Sequence, residues 1–452
     1  MNWNCKRIAL AVTLVLTGAF AARAQKAKYV VMISIDGLRP DFYREATWPT
    51  PNLHWLAAEG VSADGVRGVL PTVTYPSHTT IMTGVMPARH GIYYNTPFER
   101  EGQTGRWNWE NNLIKTTTLW QAVKQKGGTT AAVHWPVTVG ATYIDYNLPE
   151  SPKGKPGEDP LKPMRDASTP KGLFEEAEKN AIGKLDTADI GGDYLSMDED
   201  IARLTSYLVQ TYKPSLTTVH LVCVDHFEHL GGRQGLGVDR AIANADRAVG
   251  HIMEAVEKAG IKDSTVIMIV GDHGFVDIHT LFAPNVWLAK AGLMEDKKDR
   301  GNWKATFHAQ GGSTFLYLRD KNDQQTLNKV KEVLRSMPAA QQKLFRIVEK
   351  EELTKIGADP EVQLALAAKQ GIAFSDAAGG EPLKPAKGGT HGYFPDFHNI
   401  ETGFIAYGPG LKKDVVIPAM GLEDIAPLVA HLMGLTMPGG EGVEYPGCFK
   451  DK

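Results

Sequence analysis

The stretch KYVVMISIDG, residues 28–37, decides the fold of this chain. Residues 28–35 form a nearly continuous apolar run, which is typical of a strand buried on both faces of a parallel sheet. Asp36 and Gly37 follow immediately. The stretch therefore predicts a central parallel strand that has a carboxylate at its carboxyl end.

Predicted strands and helices alternate along the rest of the chain. The apolar runs predict further buried strands at 129–135, 216–224 and 264–270, and the helical patterns lie at 50–60, 116–128 and roughly 238–259. This alternation predicts an α/β fold with a mostly parallel sheet flanked by helices. Two segments interrupt it. The segment at about 151–197 is rich in Pro, Gly, Lys and Asp and is predicted to be a surface insertion. The segment at about 295–388 is predicted to form a small cap subdomain.

Length and composition restrict the class of protein. The 452 residues carry a formal net charge of −3, with 42% hydrophobic and 22% charged residues, as in soluble globular proteins. No basic surplus points to nucleic acid or to an anionic membrane surface. Apart from Cys5, the cysteines are Cys223 and Cys448, too few for a disulfide scaffold and an argument against a cysteine metal site.

The N-terminus predicts export. Lys6 and Arg7 precede the apolar run 8–22, and the sequence ARA stands before Gln25. This pattern is typical of a cleaved signal peptide, and the run is too short for a comfortable membrane span. We therefore expect a signal peptide at 1–24, a mature domain at 25–452, and a periplasmic or secreted location.

Acidic residues and histidines follow three of the predicted strands. Asp36 follows the first strand, Asp225 with His229 follows the strand at 216–224, and Asp272 with His273 follows the strand at 264–270. In an open α/β sheet, ligands bind beyond the carboxyl ends of the strands. We therefore expect these side chains to converge.

A convergent set of carboxylates and imidazoles predicts a metal site. Buried carboxylates repel one another unless a cation lies among them, and a mixed set suits Zn²⁺ better than Mn²⁺ or Fe²⁺. His391, in GGTHGY at 388–393, brings the candidate ligands to six. Two ions about 4 Å apart, each bound by about three protein ligands, would account for six ligands. Such a pair stabilises the attacking and the leaving oxygen of an in-line displacement at phosphorus.

The segment PTVTYPSHTT, residues 71–80, supplies candidate nucleophiles. Its prolines predict a loop entering a helix, where serine and threonine are usually caps. A two-metal phosphoryl-transfer site needs a nucleophile, and metal coordination lowers the pKa of a hydroxyl. The residues alone leave open which hydroxyl acts.

Several motifs together resemble the nucleotide pyrophosphatase/phosphodiesterase family of the alkaline phosphatase superfamily. The resemblance runs in order across most of the mature chain, through SIDGLRPDF, PTVTYPSHTTIMTGVMPARHGIYYN, VDHFEHLGG, GDHGF and GGTHGY. It implies an alkaline-phosphatase-like sandwich with two Zn²⁺ ions per chain. By this resemblance Thr74 is the nucleophile and Asn95 stabilises the charged phosphoryl oxygen. The implied ligands are Asp36, Thr74, Asp272 and His273 for one zinc, and Asp225, His229 and His391 for the other.

Two aromatic residues are candidates for contact with the substrate. Family members usually have Phe-Pro-Asn-His after the nucleophile, whereas this chain has Tyr75, Pro76, Ser77 and His78. The resemblance implies that Tyr75 stacks on a base or another planar group. Trp135, in HWPVT, is expected in the core, and the alternative is the pocket wall, where it would be a second candidate for substrate contact. His134 beside it is expected to be structural or to support a ligand.

Four function classes compete. Related monoesterases have a Lys-x-Arg pair between the nucleophile loop and the second acidic motif, but residues 127–152 contain no Lys or Arg. A sulfatase needs Cys or Ser followed by Pro and Arg, and a non-catalytic metal-binding protein has no need of Thr74 and Asn95. We therefore expect an exported two-zinc phosphodiesterase or nucleotide pyrophosphatase that acts on small molecules through a covalent phospho-threonine. A phosphomonoesterase on the same metal site is the alternative.

Overall fold

The computed structural model describes residues 27–152, 158–185, 194–297 and 301–450. The predicted signal peptide lies outside these residues. Within them, no helix combines the length and apolar character needed to cross a membrane. The strands of the described residues are β1 (Tyr29–Ile35), β2 (Val61–Ala63), β3 (Val66–Arg67), β4 (Thr130–Val133), β5 (Tyr146–Leu148), β6 (Leu216–Leu221), β7 (Thr265–Val270), β8 (Val276–Asp277), β9 (Thr280–Phe282), β10 (Ala305–Gln310), β11 (Ser313–Leu318), β12 (Phe345–Glu349), β13 (Leu364–Ala368), β14 (Ile372–Phe374), β15 (Leu383–Pro385), β16 (Gly389–Thr390), β17 (Phe404–Tyr407), β18 (Val415–Ile417) and β19 (Met420–Gly421).

Helices lie between these strands. They are α1 (Asp41–Arg44), α2 (Pro51–Glu59), α3 (Thr74–Thr83), α4 (Pro87–His90), α5 (Leu119–Gln125), α6 (Lys162–Ala167), α7 (Leu173–Ala177), α8 (Tyr194–Tyr212), α9 (Cys223–Gly231), α10 (Leu236–Lys258), α11 (Asn285–Lys290), α12 (Gln324–Ser336), α13 (Ala339–Gln342), α14 (Lys350–Lys355) and α15 (Ile425–Met433). Single turns of 3₁₀-helix occur at Asn111–Leu113, Lys262–Ser264, His398–Ile400, Leu422–Asp424 and Pro446–Cys448, and a π-helical turn at Glu178–Ile182.

The central sheet has eight strands in the order β18-β2-β17-β7-β1-β6-β4-β5. Strand β1 pairs in parallel with β6 and β7, and β4 pairs in parallel with β5 and β6. Only β17 runs antiparallel to its neighbours, β2 and β7, within the described part of this sheet. The predicted α/β fold with a mostly parallel sheet is confirmed.

The apolar run in β1 is continuous because both faces of the sheet are covered. Val31, Ile33 and Ile35 pack into a core on one face with helices α8 and α10. Val30 and Met32 point to the other face, where helices α3, α5 and α15 contribute. Every residue of β1 is buried, so alternation between apolar and polar residues is absent from its sequence.

The segment predicted as a surface insertion at 151–197 packs into the main core where it is described. Leu161, Met164, Leu173 and Phe174 are buried among the residues of β1, β4 and α8. Because prolines and lysines are frequent in this segment, its composition did not indicate that these few apolar residues are buried. They cover the face of the sheet near β5, and the segment also contributes to the wall of a large cavity.

The region at about 295–388 builds its own layer. Strands β10, β11, β13 and β12 form an antiparallel sheet in that order, and its core includes Val330 and Leu334 of α12. The chain then returns through β16, which pairs with β8 just after β7. This return places His391 beside the carboxyl edge of the central sheet.

Cys223 and Cys448 form no disulfide bond with each other. They belong to the cores on opposite faces of the central sheet.

Candidate active site

Three neighbouring parallel strands bring the predicted acids and histidines together. Asp36 follows β1, Asp225 lies in the first turn of α9 just after β6, and Asp272 with His273 follows β7. Since β6 and β7 flank β1 in the same direction, their carboxyl ends meet at one edge of the sheet. The strand order therefore accounts for the convergence.

The first cluster consists of Asp36, Asp272 and His273. Nε2 of His273 lies 3.3 Å from Oδ1 of Asp36 and 3.2 Å from Oδ2 of Asp272. The other oxygen of Asp272 accepts a hydrogen bond from the main-chain N–H of Gly37 at 3.1 Å. The facing atoms, Oδ1 of Asp36, Oδ2 of Asp272 and Nε2 of His273, are buried and have no hydrogen-bond partner in the protein.

The second cluster consists of Asp225, His229 and His391. Oδ1 of Asp225 lies 3.3 Å from Nε2 of His229 and 3.6 Å from Nε2 of His391. The Nδ1 atoms of the two rings lie 3.1 Å and 3.2 Å from the carbonyl oxygens of Gly389 and Thr72. A carbonyl accepts only from N–H, so each neutral ring has its lone pair at Nε2, facing Asp225.

The charges of the two clusters fit bound cations. Burial, followed by repulsion from Asp272 and Asp225, raises the pKa of Asp36 well above its usual value. Burial opposes ionisation of Asp225, but His229 and His391 hold its pKa below the usual range. Burial and then the neighbouring imidazoles of His273 and His229 lower the pKa of His391, which keeps it neutral, as a metal ligand must be.

Two triplets of ligand atoms have the spacing of metal sites. The ligand atoms of Asp225, His229 and His391 lie within 4.8 Å of one another, and so do those of Asp36, Asp225 and His273. Together with the unpartnered buried atoms, this geometry fits two divalent cations, and the oxygen and nitrogen donors suit zinc. Asp225 belongs to both triplets.

Thr74 is the first residue of helix α3 and faces this site. It is 8% exposed and lines a cavity of about 1020 Å³ that also includes Asp36, Asp225 and His391. The other serine and threonine residues of the described segment 71–80 do not line it. The hydroxyls of Thr72 and Thr79 donate instead to the carbonyls of Tyr393 and Tyr75, at 2.9 Å and 2.8 Å. Position therefore favours Thr74 among the candidate hydroxyls.

Asn95 lies beside the start of helix α3. Its Oδ1 accepts a hydrogen bond of 2.8 Å from the main-chain N–H of Tyr75, and the side chain lines the cavity. This bond fixes the orientation of the amide. Its Nδ2 group is consequently the end that can donate to a bound oxygen.

We expect Asn95→Ala to lower kcat by about 10²–10³-fold, the usual effect of removing one donor to a developing oxyanion. Steady-state kinetics and metal analysis on the purified variant measure this. Asn52→Ala is the matched control, since Asn52 donates to Asp246 far from the cavity. An unchanged kcat in Asn95→Ala would remove Asn95 from the site.

The two aromatic candidates have different positions. Tyr75 is fully buried but lines the cavity, and its ring packs edge-on against Trp107 and Trp109 at centroid distances of 5.3 Å and 6.0 Å. Trp135 is 1% exposed, packs against His78 and Trp120 in the core, and does not line the cavity. The alternative that Trp135 contacts substrate is therefore dropped.

Aromatic residues that the sequence analysis missed line the cavity walls. Trp107 and Trp109 are stacked at 5.6 Å with a 17° interplanar angle, and Tyr194 stacks on His226 at 3.8 Å and 7°. The pattern RWNWE at 106–110, with two tryptophans in a polar loop, was the available signal. Tyr75, which packs against both tryptophans, and His226, which stacks on Tyr194, lie in other segments of the chain. The sequence alone does not show that these residues meet.

A mostly parallel sheet with two carboxylate–imidazole clusters and a helix-terminal threonine at its carboxyl edge defines an α/β protein of the alkaline-phosphatase-like fold. The model of the family "Type I phosphodiesterase / nucleotide pyrophosphatase" matches residues 30–394. The chain belongs to this family, as the sequence resemblance predicted.

Individual relatives are distant but cover the chain. The rat ectonucleotide pyrophosphatase/phosphodiesterase family member 3 is 24% identical over 91% of this chain. The venom phosphodiesterase of Naja atra is 23% identical over 91% of it. The chain spans 43% and 45% of the lengths of these two relatives. The solved structure of human ectonucleotide pyrophosphatase/phosphodiesterase 5 matches with a TM-score of 0.67 and 20% identity, covering 92% of this chain and 97% of that one.

A further solved structure has a bound nucleotide. It is an inactive threonine-to-alanine variant of murine ectonucleotide pyrophosphatase/phosphodiesterase 5 in complex with AMP, with a TM-score of 0.67, 19% identity, and coverage of 93% of this chain and 97% of that one.

Proposed function

We propose that this chain is an exported two-zinc phosphodiesterase or nucleotide pyrophosphatase that works through a covalent phospho-threonine. The observation that carries the proposal is the position of Thr74, which faces the cavity beside two triplets of metal-ligand atoms. In these triplets, atoms of Asp36, Asp225 and His273 are buried without a hydrogen-bond partner. Family membership and the murine relative with bound AMP agree with it. Residues 25–452 are proposed to form the catalytic domain.

The first chemical step forms the covalent intermediate. Zinc held by Asp36, Asp272, His273 and Thr74, and by Asp225, His229 and His391, would supply positive charge to the phosphoryl oxygens, to the nucleophile and to the leaving group. Oγ of Thr74 loses its proton and attacks phosphorus, while the bond from phosphorus to the leaving oxygen breaks. The leaving oxygen then takes up a proton. Nδ2 of Asn95 donates a hydrogen bond to a non-bridging oxygen as charge develops.

The second step returns the enzyme to its starting state. A water molecule attacks phosphorus, the bond between phosphorus and Oγ of Thr74 breaks, and Thr74 is reprotonated. A diester therefore yields an alcohol and a monoester, and a phosphoanhydride yields two phosphates. The rings of His229 and His391, held by carbonyls at their Nδ1 atoms, keep the site fixed through both displacements.

The charges around the cavity favour a diester over a monoester. A monoester dianion presents an extra charged oxygen that a cation should meet. Among the described residues, Arg106 is the one lysine or arginine that lines the cavity. It is 53% exposed and already pairs with Glu110 at 3.2 Å. Two basic residues of helix α6 also have acidic partners: Arg165 pairs with Glu178, and Lys162 pairs with Asp166.

We therefore expect the zinc-loaded protein to hydrolyse a diester with a higher kcat/KM than a monoester with the same leaving group. The measurement compares bis(p-nitrophenyl) phosphate with p-nitrophenyl phosphate on one enzyme preparation, and adds a nucleoside triphosphate as a third substrate. A tenfold preference for the monoester, about 1.4 kcal/mol of transition-state stabilisation, would contradict the proposal and favour the phosphomonoesterase.

The stacked pair Trp107–Trp109 is proposed to contact the base of a nucleotide substrate. Stacking a base on an aromatic side chain contributes about 1–3 kcal/mol, so Trp107→Ala should raise KM for a nucleotide substrate by about tenfold. KM for methyl p-nitrophenyl phosphate, a diester that lacks a base, should change much less. Equal changes for both substrates would show that the indole supports the loop rather than the base. Trp287→Ala, in helix α11 outside the cavity, is the control.

The export proposal rests on the N-terminal residues and agrees with the names of the relatives. Those relatives are an ectonucleotide pyrophosphatase and a venom phosphodiesterase. N-terminal sequencing of the secreted or periplasmic protein should start at Gln25 if the proposed cleavage site is used.

A further inference from the structure

A third cluster of ligand-type side chains lies beside the two described above. His134 directly follows β4, Glu150 lies two residues after β5, and His220 is within β6. Strand β4 pairs in parallel with both β5 and β6. The three side chains therefore share the carboxyl edge of the sheet that also carries Asp36, and all three line the same cavity.

The spacing within this third cluster is that of a metal site. One ligand atom from each of His134, Glu150 and His220 lies within 4.8 Å of the other two. Nδ1 of both histidines and Oε2 of Glu150 are buried and have no hydrogen-bond partner in the protein. Leaving three such atoms unsatisfied is costly, and one cation would satisfy atoms from all three residues.

The ring of His220 is oriented for this role. Its Nε2 lies 3.1 Å from Oδ2 of Asp36, and a carboxylate at that distance accepts the N–H of a neutral ring. The lone pair is then at Nδ1, on the other side of the ring from Asp36. The His134 carbonyl is near this ring, but it does not satisfy Nδ1 with a hydrogen bond.

The backbone of His134 is in an unfavourable conformation. Its φ of 55° lies in the left-handed region, which is unfavourable for a residue with a side chain. The strain accompanies a change of direction, since His134 lines the cavity whereas Trp135 next to it packs in the core. Unfavourable backbone conformations cluster at functional sites, and the conformation of His134 directs its imidazole into the cavity.

Glu150 is a buried carboxyl without a basic side chain beside it in the described part of the chain. Burial raises the pKa of Glu150 to about 8, and no lysine or arginine of the described residues forms an ion pair with it. An ionised carboxylate in this place needs a cation nearby.

We propose that His134, Glu150 and His220 bind a further divalent cation, separate from the two at Asp36 and Asp225. Two imidazoles and one carboxylate are a donor set that zinc favours, and three protein ligands leave at least one position for another oxygen. Since the cluster borders the cavity, that position would accept an anionic oxygen of a bound substrate.

The test is to count and locate zinc in the full-length mature protein. The protein is loaded with zinc chloride, freed of unbound metal by gel filtration and analysed by mass spectrometry for metal per chain. Crystals of the same sample are measured at the zinc absorption edge. The wild type should hold three zinc ions per chain, with one anomalous peak among His134, Glu150 and His220.

Four variants separate this site from the rest of the chain. Glu150→Gln preserves shape and removes charge, and His134→Gly removes the imidazole while suiting the positive φ. Each should lose the third peak and one zinc equivalent. His391→Ala should lose a peak at Asp225 but retain the third. His90→Gln is the control, since His90 is an equally buried histidine bonded to Thr80 and outside all three clusters.

Two results would overturn the proposal. One is wild-type protein without an anomalous peak at these three residues. The other is an unchanged zinc count in both Glu150→Gln and His134→Gly. Failure of the two-metal active site has a different signature, because the peaks at Asp36 and Asp225 would then be missing while the third remained.

Discussion

Replacing Thr74 by alanine should lower kcat by about 10³-fold or more while the protein stays folded. The hydroxyl is the atom that bonds to phosphorus in the proposed mechanism, and no other serine or threonine of the described segment 71–80 lines the cavity. Alanine fits at the first position of helix α3, because its side chain is smaller than that of threonine and it has a high helix propensity. The loss should therefore be confined to catalysis.

Steady-state kinetics on a diester, together with circular dichroism and metal analysis, would measure this effect. Thr79→Ala is the matched control. Thr79 is a buried threonine of the same helix whose hydroxyl donates to the carbonyl of Tyr75, so its loss should affect stability more than kcat. Turnover near the wild-type rate in Thr74→Ala would exclude Thr74 as the nucleophile.

Replacing Asp225 by asparagine should empty the site that it shares with His229 and His391 and weaken metal binding at the neighbouring site. Asp225 contributes to both ligand triplets, with His229 and His391 on one side and with Asp36 and His273 on the other. A neutral amide cannot balance cations on two sides, and it leaves the repulsion between Asp36 and Asp272 unrelieved. We expect kcat to fall by about 10³-fold or more, because metal-assisted charge stabilisation is lost together with the metals.

Metal content per chain after gel filtration would test this prediction. His391→Ala is the informative comparison, because it should empty only the site that His391 shares with Asp225 and leave partial occupancy. Asp246→Asn serves as the control, since the Asp246 carboxylate binds Asn52 and Leu53 away from the cavity. An Asp225→Asn protein with its full complement of zinc would contradict the proposed ligand sets.

The part of the fold that could be predicted is the part encoded in contiguous residues. The run in β1 identified a doubly covered parallel strand because five neighbouring apolar positions cannot alternate between core and solvent. The segment at 158–185 was misjudged, since Leu161, Met164 and Phe174 are spread among prolines and lysines. Their burial depends on a distant sheet face that local composition does not reveal.

The site shows the same division between local and distant information. Asp36 and Asp272 follow directly from strands, so sequence position alone indicates where they lie. His134, Glu150 and His220 give no such signal. They converge because β4 pairs with β5 and β6, and strand order is not readable from single residues. Of the two positions expected for Trp135, the structure has the core, because the positive φ at His134 divides two adjacent side chains between cavity and core.

The central claim is that the reaction passes through a covalent bond between phosphorus and Thr74. The most direct measurement is the stereochemical course of hydrolysis at phosphorus, using a phosphorothioate diester of one configuration in isotopically labelled water. Each in-line displacement inverts the configuration, so two successive displacements through Thr74 predict net retention. Net inversion would mean a single displacement by water, which would contradict the covalent mechanism.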